Sequence, residues 1–165
     1  MNKVEWRDWS LADKKRLLAV LRARRGSGTK LHPRQLQAMA LDAEEGLYGG
    51  AAGGGKTEWG LEWLAEPVNV PKYSGLFLRR TFPQLSKSAD SPIMRSFSIF
   101  GPRGGQWHSA DKRWTFPNGA VVEFGHMQHE TSVMEYQGPS YHRVFYDELT
   151  QFSENQYTYL FSRMR

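Results

Sequence analysis

Residues 50–57 read Gly-Ala-Ala-Gly-Gly-Gly-Lys-Thr and satisfy the pattern G-x-x-x-x-G-K-[ST] at every fixed position. No other stretch limits the possible folds as tightly. Gly50, Gly53, Gly54 and Gly55, with the small Ala51 and Ala52 between them, let the backbone curl until several N–H groups point at one anion. The Lys56 ammonium then reaches β- and γ-phosphates, and the Thr57 hydroxyl is placed to hold Mg²⁺. Residues 57–66 read as a helix, whose positive dipole end would face the phosphates. A short strand is expected just before the loop, at residues 46–49. A flexible glycine linker would account for the glycines, but not for Lys-Thr followed at once by an apolar-periodic helix. The stretch therefore predicts a nucleoside triphosphate site.

Charge is uneven along the 165 residues. The chain carries +5 overall, yet residues 1–34 hold ten Lys/Arg against three acids, and the remainder is slightly acidic. Within that segment Ser10 can cap a helix whose apolar stripe is Leu11, Leu17, Leu18 and Leu21. A basic helical arm over residues 1–30 is expected, with residues 26–28 ending it. Attached to a nucleotide engine it suggests a polyanionic partner, nucleic acid first; a solvated helix face accounts for it equally well. The 22 aromatic residues supply the large buried surfaces of a folded domain. The absence of cysteine excludes disulfides and thiolate metal sites. No apolar run approaches the roughly 20 residues needed to span a bilayer, and the opening residues do not resemble a signal peptide.

Pro33 suits the first turn of a helix that should run to about Glu45. It carries Gln35, whose amide offers a donor and an acceptor to an adenine edge. Residues 74–80 read as a buried strand ending in Arg79 and Arg80. Arginines at that end of a parallel strand lie where α/β sheets bind ligands, so both are candidates for sensing phosphate or contacting a neighbour, surface positions being the plainer alternative. An irregular helical stretch should follow, to about Phe100. Short strands are expected at 106–108, 112–116 and 120–125, the last two joined by the hairpin signal Pro117-Asn118-Gly119. His126 and His129 read as ordinary polar histidines, no third metal ligand being apparent. A helical turn at 131–136 and a helix over 153–165, opened by a Ser153/Gln156 cap, complete the chain.

The second informative motif is Val144-Phe145-Tyr146-Asp147-Glu148, an apolar strand ending in two acids. Following a phosphate loop, such a strand can present Asp147 to Mg²⁺ and Glu148 to an attacking water. An acid in the second position favours hydrolysis.

Taken in order, His32-Pro33-Arg34-Gln35, the loop ending Gly55-Lys56-Thr57, Leu78-Arg79-Arg80-Thr81-Phe82-Pro83-Gln84-Leu85, Glu135-Tyr136-Gln137-Gly138 and Phe145-Tyr146-Asp147-Glu148-Leu149 form a set. It resembles the N-terminal ATPase domain of the large terminase subunits of tailed bacteriophages over about residues 31–150. The resemblance implies an α/β, three-layer P-loop NTPase domain of the additional-strand, catalytic-glutamate (ASCE) type over residues 31–165. Its sheet should be mainly parallel, with a β-hairpin beside it. The implied activity is ATP hydrolysis, with ATP and Mg²⁺ as cofactors, driving double-stranded DNA into a procapsid. Implied partners are DNA, the portal protein, a small terminase subunit and copies of the chain in a ring, in the bacterial host cytoplasm and without a membrane. By resemblance Gln35 contacts adenine, Lys56 and Thr57 serve the loop, Asp147 holds Mg²⁺ and Glu148 is the catalytic acid. The arginine finger is open between Arg79, Arg80 and Arg143. Family members place a nuclease domain after the ATPase and a coupling strand late in the ATPase itself, so a chain ending at Arg165 is expected to be a fragment without nuclease activity. A helicase-like ATPase and a nucleotide-dependent assembly module without turnover remain the alternatives.

Overall fold

The computed structural model describes residues 10–12, 15, 31–41, 43–50 and 53–164. The expected basic arm therefore lies outside the described residues, apart from residues 10–12 and 15; so do Ala51 and Ala52. Contacts group the chain into two units, Met1–Trp59 and Gly60–Arg165.

In the first unit, helix α1 (Pro33–Met39) opens with Pro33 in its first turn and closes at Ala40, well short of Glu45. Helix α2 (Lys56–Ala65) begins here and runs into the second unit. The expected strand at 46–49 does not form. Its sequence is Gly-Leu-Tyr-Gly, and glycine at both ends weakens so short a strand. Leu47 is 78% exposed, while Tyr48 stacks on Trp59 with ring centroids 4.9 Å apart.

The second unit is built on a five-stranded sheet in the order β2-β3-β4-β1-β5. The strands are β1 (Ser74–Arg79), β2 (Gln106–His108), β3 (Arg113–Thr115), β4 (Val121–His126) and β5 (Arg143–Tyr146). β1 pairs in parallel with β4 and β5, whereas β2–β3 and β3–β4 are antiparallel. The sheet is thus mixed, correcting the expectation of a mainly parallel one. Links as short as those around β3 can only reverse the chain, and parallel return needs a long crossover. At the β3–β4 turn Gly119 takes φ +81°, and the Ala120 N–H donates to Asn118 Oδ1 at 3.0 Å.

Alternation along β1 sends Phe77 to one face and Leu76 and Leu78 to the other, and all three are fully buried. On the Phe77 side lie Leu61, Leu64 and Ala65 of α2, Leu85 of α3 (Phe82–Ser86), and Ile93, Ile99 and Phe100 of α4 (Pro92–Phe100). On the other side lie Met127, Val133, Tyr136, Tyr141 and Leu160. Register places Phe124, Phe77 and Phe145 abreast on three parallel strands, with successive centroids 5.3 Å apart. Phe77 and Phe124, both buried, each contribute about 1.5–3 kcal/mol by leaving water. The irregular helical stretch resolves into α3 and α4, each opened by a proline; Ser91 Oγ caps α4 by accepting from the Met94 N–H. The final helical stretch resolves into α5 (Glu154–Tyr159) and a 3₁₀ turn (Leu160–Arg163).

Candidate functional site

The site residues expected from the sequence fall into two groups, one in each unit. In the first, Gly53 and Gly55 have φ of +80° and +69°, conformations that side-chain-bearing residues rarely adopt. Lys56 starts α2, and its Nζ donates to the Gly50 carbonyl at 3.1 Å. Thr57 and Glu58 follow in the first turn.

Gln35 is 2% exposed, and both ends of its amide are engaged by the chain. Oε1 accepts from the His32 N–H at 2.6 Å, and Nε2 donates to the Gly55 carbonyl at 2.8 Å. This is not the open amide edge expected of an adenine contact. A Cβ on Gly55 would lie 2.5 Å from Gln35 Nε2, so glycine there meets a packing need as well as a conformational one.

In the second unit the candidates Arg79, Asp147 and Glu148 lie where parallel strands β1 and β5 end, the edge at which α/β sheets bind ligands. Asp147 continues the ladder one residue beyond β5, its N–H donating to the Leu78 carbonyl at 2.9 Å. Its carboxylate is 1% exposed and takes two hydrogen bonds on Oδ2, from Arg79 Nε at 2.9 Å and Nη2 at 2.6 Å. Glu148 is half-buried and stands at φ 58°, ψ 53°, a left-handed conformation costly for a side chain of its length. That turn ends the strand and opens the 3₁₀ segment Leu149–Gln151.

The three arginine candidates separate. Arg79 holds Asp147. Arg80 Nη1 donates instead to Gln156 Oε1. The fully buried Gln156 also takes the Ser153 N–H on Oε1 and donates from Nε2 to the carbonyls of Met127 and His129. Arg143 lies at the opposite end of β5, in register with Gly75. It donates to the Trp63 carbonyl and to Glu66 Oε2 at 2.9 Å, with its guanidinium 4.7 Å from the Trp63 ring. It clamps α2 to the sheet, away from the acidic pair.

His126 ends β4, and its ring is held below the ordinary 6.5, first by partial burial and then by the Lys112 ammonium, Glu135 acting the other way. His129 precedes the 3₁₀ segment Glu130–Tyr136, its N–H donating to Ser132 Oγ at 3.2 Å. Among the described residues no group of three His, Cys, Asp or Glu could hold a metal through protein ligands alone. The residue that sequence reasoning valued too little is Gln156, which it noticed only as a helix cap. It also missed the pair of Glu62, fully buried, with Arg103 Nη2 at 2.8 Å. A glutamate on the apolar face of α2 was the available signal.

These features define an α/β protein whose parallel strands deliver charged side chains to one edge of a mixed sheet. A family model described as terminase large subunit, T4likevirus-type, N-terminal, matches residues 47–165, and the chain belongs to this family. Membership implies a part in viral DNA packaging. Gln35 and the basic arm precede the matched span. Neither a search of curated proteins nor a search of solved structures gave a match. Among the described residues no helix is long and apolar enough to cross a membrane.

Proposed function

We propose that this chain carries the ATPase activity of a packaging motor, coupling Mg²⁺-dependent ATP hydrolysis to movement of double-stranded DNA into a procapsid. The observation that carries the reading is the acidic pair Asp147-Glu148 at the carboxyl end of β5, in a family member that also contains a complete phosphate-loop sequence at 50–57. The donor set is consistent in kind with this reading. Positive-φ glycines precede a helix N-terminus, the arrangement that binds phosphate, and a buried carboxylate suits a hard cation.

Thr57 on the loop and Asp147 on the sheet edge are each oxygen donors that would suit Mg²⁺. When bound, the ion would supply neutralisation of phosphate charge. Lys56 would add its ammonium charge at the phosphate oxygens. Glu148 accepts a proton from water as the water oxygen bonds to the γ-phosphorus and the bond to the ADP oxygen breaks. Partners on this reading are DNA, the portal protein, the small terminase subunit and further copies of the chain in a ring. A finger supplied by a neighbour is worth roughly 10³–10⁵ in rate, so isolated chains should turn over slowly.

The test is the ATPase rate of the full chain with and without double-stranded DNA, over a range of protein concentrations. DNA stimulation that rises with concentration is expected. Absence of hydrolysis under every condition would leave an assembly module without turnover. Glu148→Gln should retain nucleotide binding and lose turnover; normal turnover in that variant would remove Glu148 from its role.

A further inference from the structure

We infer that Arg79 is a built-in competitor for the metal position: its guanidinium keeps Asp147 closed, and the carboxylate becomes a cation ligand only when that side chain withdraws. The inference rests on the Mg²⁺ role proposed for Asp147 above and adds a regulation of it. Asp147 Oδ2 accepts from Arg79 Nε at 2.9 Å and from Nη2 at 2.6 Å. A carboxylate oxygen has two lone-pair sites, and one planar guanidinium fills both. Arginine keeps its charge throughout the pH range in which proteins work. Mg²⁺ takes its oxygen ligands at about 2.0–2.1 Å, so ion and guanidinium would be two cations on one oxygen. The carboxylate is 1% exposed, so a hydrated ion reaches it only by displacing what covers it.

The side chain able to move is the arginine's. Asp147 is short, and its N–H donates to the Leu78 carbonyl at 2.9 Å, which pins its backbone in the sheet. Arg79 closes β1, and its long side chain remains 19% exposed. Strand parity explains why the two meet. Arg79 lies two residues on from Phe77, and Asp147 two on from Phe145, and these two rings pack together. Neighbouring Arg80 falls on the other face, where buried Gln156 holds it. Arg80 is thus a fastener within the fold, and Arg79 a cation parked on the acid. A pair this buried keeps the withdrawn arrangement below about one part in ten, and the apparent affinity of Asp147 for a cation falls by that fraction. A ligand that favours the withdrawn arrangement shifts the population toward it.

Mn²⁺ alone, titrated into the full chain, reads the competition through paramagnetic broadening of the amide signals of residues 146–148. Arg79→Gln should bind Mn²⁺ on the order of tenfold more tightly than wild type; Arg79→Lys, which keeps the charge but loses the fork, should fall between them. Adding Asp147→Asn to Arg79→Gln should abolish the gain. Equal or weaker binding in Arg79→Gln would overturn the inference, as would a gain that survives Asp147→Asn. Wild type supplies an arm that needs no variant to fold. Its Arg79 Nε–H should exchange slowly with water in the absence of metal, and faster as Mg²⁺ is raised, at constant ionic strength, until the signals of 146–148 stop moving. A proton still protected at that point would show metal and guanidinium sharing the carboxylate, and would also overturn the inference. Failure of wild type to bind Mg-ATP would instead defeat the nucleotide reading; the metal titrations, made without nucleotide, would still decide between Arg79 as competitor and Arg79 as bystander.

Discussion

Arg79 and Asp147, 68 residues apart in the chain, meet at the carboxyl edge of the sheet with two guanidinium nitrogens on one carboxylate oxygen. The carboxylate is 1% exposed and the arginine side chain 19%. Breaking a pair this buried from one side costs about 3 kcal/mol, because the remaining charge keeps its desolvation without its partner. Arg79→Ala should lower unfolding stability by about that amount in urea titrations. Combined with Asp147→Asn, the two losses should fall short of additivity by more than about 1 kcal/mol. Additive losses would mean that the pair contributes nothing beyond its separate members.

Glu148 occupies left-handed backbone at φ 58°. That conformation costs a residue with a side chain about 1–2 kcal/mol, while glycine adopts it freely and gives back part of the gain through its looser unfolded chain. Glu148→Gly should therefore be more stable than wild type by about 1 kcal/mol and inactive in ATP hydrolysis. A denaturation midpoint equal to or below wild type would show that no strain is stored there.

Gly60 lies within α2, where a Cβ would overlap the Phe145 ring on β5. Alanine in a helix interior ordinarily gains about 1 kcal/mol over glycine, but an overlap of this kind costs about 1–3 kcal/mol. Gly60→Ala should lower the thermal midpoint in the wild-type background and raise it in a Phe145→Ala background. The same sign in both would place the conflict elsewhere.

His126 is held below its ordinary 6.5 in the folded state, by partial burial and then by Lys112. The unfolded chain therefore binds a proton more readily than the folded one near pH 6, and stability contributed by the neutral ring is lost as pH falls through the unfolded value. Stability curves between pH 7.5 and 5.5 should slope upward with pH, and His126→Gln should flatten that slope. An unchanged slope would assign it to other groups.

Most strands could be read from the chain because β1 and β5 are short apolar runs with charges at their ends, and the hairpin advertises itself at Asn118-Gly119. Sheet order could not be read in the same way. Which strands lie side by side depends on packing between distant segments, so nothing local told Arg79 that it would face Asp147, or Arg143 that it would bond to Trp63 and Glu66. The residues at 46–49 mislead for a related reason: two apolar residues between glycines look like a strand only if a neighbour is assumed. At Gln35 the residue type was informative, but an amide has two ends, and only the structure shows that the backbone takes both.

Gln156 gathers Arg80, Ser153, Met127 and His129 around one buried amide, and the Tyr141 N–H donates to the Arg163 carbonyl at 2.8 Å. These bonds set a clock for α5 and the turn behind it. Short surface helices exchange their amide protons by fraying, on their own and quickly. The amide of Gln156 leaves its place only when the ends of β1 and β4 let go, so its neighbourhood should exchange at the pace of the sheet. Proteolysis between residues 150 and 160 should likewise wait for the sheet to open.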